Sequence, residues 1–103
     1  MTGVTMEWLM DDAIDPKADL SLARMTIAAD AISEAHYHNN CSETIHVLTG
    51  HIKQRIGDDW LEMKSGDSCL IPIGVTHQTK NTGNGPAVMM VAYSAGERIY
   101  VTD

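Results

Sequence analysis

The chain has 103 residues, with 7 basic side chains against 14 acidic ones and a net charge of −7. That length suits one domain, and the acidic balance with Arg24, Lys53, Arg55, Lys64 and Arg98 scattered singly speaks against a polyanion such as nucleic acid as partner. No run of about 18 apolar residues is present and residues 1–7 lack the basic and apolar regions of a secretory signal, so no membrane partner and a cytoplasmic location are expected.

Residues 1–19, with the acidic run Asp11-Asp12-Ala13-Ile14-Asp15-Pro16, are the least regular part and are expected to form an N-terminal arm. Residues 20–103 are expected to form the single folded domain. The stretch 20–28 is a long β-like run with apolar groups on both faces, Leu20 and Leu22 on one and Ala23, Met25 and Ile27 on the other. A strand apolar on both sides needs a second cover, from the segment around Trp8 and Leu9 or from a partner subunit. After a turn near Asp30 comes a strand carrying His36 and His38, and then short strands over 43–49, 51–56, 60–64, 68–72, 77–81 and 87–94. Turn signals separate them: Thr49-Gly50, Gly57-Asp58-Asp59, Ser65-Gly66-Asp67, Pro72-Ile73-Gly74 and Thr82-Gly83-Asn84-Gly85-Pro86. Short strands at this spacing predict an all-β antiparallel sandwich or barrel.

Two segments combine chemically. His36 and His38 are two positions apart on a strand and share a face while Tyr37 points away; Glu43 and the distant His77 complete a set of three imidazoles and one carboxylate. Those donors suit a divalent first-row transition ion: manganese, iron, cobalt, nickel, copper or zinc. The absence of thiolates from the set excludes a cysteine-rich structural zinc site.

The spacing His36-x-His38-x4-Glu43-x6-Gly50, followed by Gly66-x5-Pro72-x-Gly74-x2-His77-x3-Asn81, resembles the two sequence motifs of the cupin superfamily. The resemblance covers residues 30–81 and departs at one position, Asp30, where a glycine is usual; aspartate tolerates left-handed backbone better than most residues. It implies a jelly-roll architecture, His36, His38, Glu43 and His77 as ligands of one divalent metal, and a homodimer, since related small cupins are often dimers. Cupins with three histidines and one glutamate are similar to dioxygenases, oxalate-handling enzymes and isomerases.

If Glu43 points inward, Ile45 and Val47 follow it, while Thr44, His46 and Leu48 face out, which removes His46 from the ligand set. His51 falls on a turn rim, and Ile52, Gln54 and Ile56 form one face of the next strand. A buried Gln54 needs partners, either a metal-bound water or substrate, or the backbone. Tyr93 shares a face with Met89 and Val91, and core filling is its expected role. Cys41, between His38 and Glu43, reads as a small apolar filler, and with Cys69 it makes no disulfide framework.

A divalent ion with one carboxylate leaves about +1 charge inside an apolar barrel, which favours an anionic ligand. Four ligands on an ion that accepts five or six leave room for water, substrate oxygens or dioxygen. Two functions therefore fit. One is a metalloenzyme, dioxygenase- or isomerase-like, acting on a small oxygen-rich molecule with Glu43 as a proton shuttle; the other is a non-catalytic module that binds a sugar or organic anion.

Overall fold

The computed structural model describes residues 3–102; residues 1 and 2 of the expected arm and residue 103 of the expected domain lie outside the described residues. Ten strands follow one another: β1 Val4–Met10, β2 Ser21–Ile27, β3 His36–Tyr37, β4 Glu43–Thr49, β5 His51–Ile56, β6 Asp59–Lys64, β7 Ser68–Ile71, β8 His77–Asn81, β9 Ala87–Tyr93 and β10 Val101–Thr102. They form two five-stranded antiparallel sheets, β1-β2-β9-β4-β7 and β10-β3-β8-β5-β6, which pack as a jelly-roll sandwich. Among the described residues no helix is long and apolar enough to cross a membrane.

Alternation places the core. On β4, Glu43, Ile45 and Val47 are buried; on β9, Ala87, Met89, Val91 and Tyr93 are; on β5, Ile52 and Gln54 are. His46 faces out and bonds the Ser68 hydroxyl, and His51 is exposed, as the parity of the strands requires. Cys41 sits in the apolar cluster as a free thiol, its pKa raised by burial.

The stretch before residue 20 departs from the expected arm. Val4–Met10 pairs along its length with β2 and is the edge strand of the first sheet. The pairing slips between Trp8 and Met10, leaving Leu9 as an extra residue, while half-buried and exposed positions still alternate along the strand. Because β1 lies beside β2 instead of over it, the outer face of β2 receives no cover from this segment: Leu20 is exposed and Leu22 half-buried.

Two motif positions show their backbone reason. Gly50 joins β4 to β5 at φ 97°, and a Cβ there would meet the Cα of Ala87 at 2.9 Å. Asp30 is the one described residue other than glycine with positive φ, 65°, and it makes the turn that the usual glycine would make. Asn81 is buried as a hub, donating to the carbonyls of Ile27 and Gly85 and accepting from the Gly83 N–H.

Candidate metal centre

His36 and His77 are direct cross-strand partners on β3 and β8, and Glu43 begins β4 in the opposite sheet. His38 lies just past β3, where the chain turns toward β4. Three strands from both sheets and the turn after β3 thus deliver the four side chains to one point, and their relative exposures are 8% for His36, 2% for His38, 4% for Glu43 and 2% for His77.

Each imidazole is oriented from behind. His36 Nδ1 lies 2.7 Å from the Glu34 carbonyl, His38 Nδ1 2.9 Å from the Ile99 carbonyl and His77 Nδ1 2.9 Å from the Val75 carbonyl. A carbonyl can only accept, so each Nδ1 carries a proton, and each ring, when neutral, presents the Nε2 lone pair to the centre. His38 Nε2 and His77 Nε2 each stand 3.1 Å from Glu43 Oε1, yet none of these three buried atoms has a hydrogen-bond partner of acceptable geometry. Lone pairs facing a carboxylate leave a shortage of positive charge. A cation supplies it: the ligand atoms of all four residues lie within 4.8 Å of one another, and neighbouring ligands of an ion with bonds of about 2.1 Å are roughly 3 Å apart. The site fits a divalent transition-metal ion.

The electrostatics favour a neutral His36 ring and an ionised Glu43. Burial lowers the His36 pKa to about 4, keeping that ring neutral. Burial would raise the Glu43 carboxyl, but protons on His38 and His77 Nε2, which supply the positive charge a cation otherwise brings, prevail and hold it at about 2. For His77, burial acts downward and Glu43 outweighs it, so the pKa is raised. Metal binding displaces any proton held there.

Beside the cluster is a cavity of about 30 Å³ bounded by His36, Glu43, His77, Thr79, Tyr93 and Arg98 among others. Tyr93 therefore lines the cavity as well as filling the core. Gln54, fully buried, accepts from the Thr79 hydroxyl and donates to the Arg55 carbonyl, so its amide has protein partners and reaches the cavity wall through Thr79. A larger hollow of about 320 Å³, lined by His51, Glu62, Lys64 and Asp67 among others, gathers no unpartnered buried groups. Size does not mark the site here; convergence does.

One part of the site was absent from the sequence expectations. Residues 95–102 fold back as a strap: Val101 and Thr102 pair with Tyr37 and His36, and the Tyr100 ring stacks on His36 at 4.2 Å and 16°. Asn40 clamps the strap, donating to the Glu97 carbonyl and accepting from the Ile99 N–H, which fixes the Ile99 carbonyl that orients His38. A strand of two residues carries no alternation, and a contact spanning 61 positions leaves no local mark.

The comparisons with known proteins agree with this geometry. The family model described as "Cupin domain" matches residues 23–93. Xanthan biosynthesis protein XanB of Xanthomonas campestris pv. campestris (strain B100) is 30% identical over 87 residues, 84% of this chain but 19% of that protein. Germin-like protein subfamily 3 member 3 of Arabidopsis thaliana is 32% identical over 81 residues, 74% of this chain and 38% of that protein. The chain thus spans well under half the length of these relatives. In three dimensions it is similar to a recombinant oxalate oxidase in complex with glycolate, with a TM-score of 0.86 and 22% identity over 97% of this chain and 55% of that one. It is also similar to the Lactobacillus farciminis oxalate decarboxylase formate complex, with a TM-score of 0.89 and 20% identity over 99% of this chain and 32% of that one. At such identities the structural likeness is one of fold. With both motifs, the sandwich and the matched span in agreement, the chain belongs to the cupin family.

Proposed function

We propose that this protein is a metalloenzyme of dioxygenase- or isomerase-like type acting on a small, oxygen-rich organic substrate, with His36, His38, Glu43 and His77 holding its ion. The observation that carries this reading is the convergence of buried, partnerless Nε2 and Oε1 atoms at the edge of a small cavity. A bound divalent ion would supply Lewis acidity or redox capacity there. The chain's own groups do the rest: the three carbonyl-anchored imidazoles keep their lone pairs aimed, burial excludes water, and Glu43 stays ionised. Proton shuttling by Glu43 requires its carboxylate to leave the two imidazoles, because at about 2 its pKa makes it a weak base in place. Gln54 acts in this scheme by holding the Thr79 hydroxyl at the cavity wall. The small carboxylates named with the two similar oxalate enzymes support a compact, oxygen-rich substrate.

A specific observation also favours the second reading, a module that binds a sugar or organic anion without converting it. Three titratable groups at the cavity lie far from neutrality, so none of the three exchanges protons readily there: His36 at about 4, Glu43 at about 2 and the Tyr100 phenol, raised chiefly by burial, at about 12. One experiment separates the two. Metal content is measured on the purified protein, and the loaded protein is incubated with glycolate and small keto acids while substrate and dioxygen are followed. Consumption of either establishes the enzyme; stoichiometric metal with saturable binding and no consumption establishes the module; absence of metal overturns both.

A cytoplasmic location and a homodimer complete the proposal. Free Cys41 and Cys69 support the first. The uncovered outer face of the first sheet, where Leu20, Leu22, Thr44 and Ala92 line a shallow hollow, supports a second copy as its cover. Light scattering at twice the chain mass is the expected result for the dimer.

A further inference from the structure

Arg98 has no counterpart in the metal cluster and no ordinary structural partner. Arg24 pairs with Glu7 at 2.9 Å, and Arg55 donates to the Gly57 carbonyl and the Gln78 amide oxygen at 2.7 Å each. Among the described residues, no carbonyl, carboxylate or hydroxyl accepts from Arg98. Its guanidinium carbon instead lies 4.9 Å from the Tyr100 ring centroid, 5.3 Å from that of Trp8 and 5.5 Å from that of Tyr93. Aromatic faces hold a guanidinium through its charge and its plane; the five N–H donors that radiate in that plane stay unspent.

Its position is equally specific. Arg98 is shared by the inner cavity that touches His36, Glu43 and His77 and by an outer hollow of about 260 Å³ lined also by Trp8, Asp11, Glu97 and Tyr100. Asp11 and Glu97 stand in that outer hollow, yet neither forms an ion pair with it. The backbone on both sides is pinned, by Asn40 at the Glu97 carbonyl and again at the Ile99 N–H. A half-buried, permanently charged, preorganised fork at the mouth of a small cavity is a device for a planar anion. The charge balance asks for the same thing: a divalent ion and Glu43 sum to about +1, and Arg98 brings the site to about +2.

Resting on the reading of the four-residue cluster as a metal centre, we propose that Arg98 is the anion-recognising residue of the site, its guanidinium gripping the carboxylate of a small organic acid that bridges to the ion. The inner cavity, at about 30 Å³, admits only the carboxylate end and a neighbouring oxygen, and the remainder of the acid lies in the outer hollow. This narrows the substrate class from oxygen-rich molecules in general to carboxylic acids, and it assigns the selecting group to the C-terminal strap instead of to either histidine-bearing motif.

The test uses the full chain loaded with cobalt(II), whose visible spectrum reports ligands reaching the ion, together with calorimetric titration of glycolate and of its neutral analogue glycolamide. Wild type is expected to bind glycolate more tightly than glycolamide and to shift its cobalt spectrum on doing so. Arg98→Gln is expected to weaken glycolate about tenfold to hundredfold, with cobalt stoichiometry and glycolamide affinity unchanged, and Arg98→Lys to recover part of the loss. Undiminished glycolate binding by Arg98→Gln, or no glycolate binding by cobalt-loaded wild type, would overturn the proposal and leave the metal centre standing. Parallel loss of cobalt, glycolate and glycolamide in Arg98→Gln would also overturn it, by showing that Arg98 only fastens the strap. Failure of wild type to take up cobalt would sink the metal centre itself and the bridging arrangement with it.

Discussion

The two ends of the space between the sheets share strands β4 and β9 of the first sheet and do opposite things. At one end Glu43 and Tyr93 of the first sheet meet His36 and His77 of the second; at the other, Val47 and Met89 meet Ile52 and Met63. These two strands contribute to both ends: β4 runs inward as Glu43, Ile45, Val47, and β9 returns as Met89, Val91, Tyr93 beside it. Backbone pairing is continuous from end to end, so the ladder cannot be what distinguishes them. The difference lies in the side chains at inward positions. Apolar residues fill their end by mutual contact and need nothing more, whereas the polar end is left with buried atoms that only a ligand can satisfy. The apolar end therefore sets stability and the polar end sets chemistry.

The largest effect expected from breaking this division is at His77. His77→Ala removes one donor of four and the partner of His36 across the ladder, and metal content measured by elemental analysis should fall from one equivalent to none. Thermal melting provides the sharper form of the comparison: metal should raise the Tm of wild type and leave that of His77→Ala unmoved, because only binding to the native state is stabilising. Full occupancy in the variant would remove His77 from the ligand set.

One inward position along β4 toward the apolar end, Ile45→Ala carves a cavity where the side chain is fully buried between Val91 and Cys69. The expected loss is about 3 kcal/mol in denaturant unfolding. Metal stoichiometry of the folded protein should not change. If metal is lost in step with stability, the two ends are one cooperative unit and the division drawn above fails.

The parts legible in the sequence are those governed by local rules. Strand parity put Glu43, Ile45, Val47, Ile52 and Gln54 inside and His46 outside, and motif spacing brought His36, His38, Glu43 and His77 together before any coordinates. What escaped depends on irregularity or on distance along the chain. β1 alternates from Val4 to Met10, but its place at the sheet edge rests on pairing with β2 across the irregular segment 11–20, which leaves no local mark. Arg98 read as a scattered charge and Tyr100 carried no signal, and they gain meaning only because the Ile99 carbonyl and Asn40 bring residues 95–102 back over the histidines. Gln54 had two open roles in the sequence, and its bonds to Thr79 and the Arg55 carbonyl show how a buried amide can be satisfied by protein while still touching the cavity wall.

The smallest expected effect concerns the turn that leads from the apolar β2 into the histidine-bearing β3. Asp30 holds φ at 65°, and among the described residues its carboxylate has no hydrogen-bond partner to offset the strain. A left-handed residue other than glycine costs on the order of 1 kcal/mol, with aspartate at the low end. Asp30→Gly relieves that cost but enlarges the conformational freedom of the unfolded chain, a penalty of roughly 0.4–1 kcal/mol. The two terms nearly cancel, so unfolding should show a change of under about 1 kcal/mol, with metal content untouched. A loss well beyond that would mean that the Asp30 carboxylate, and not merely its backbone angle, holds the turn that aims His36 at the centre.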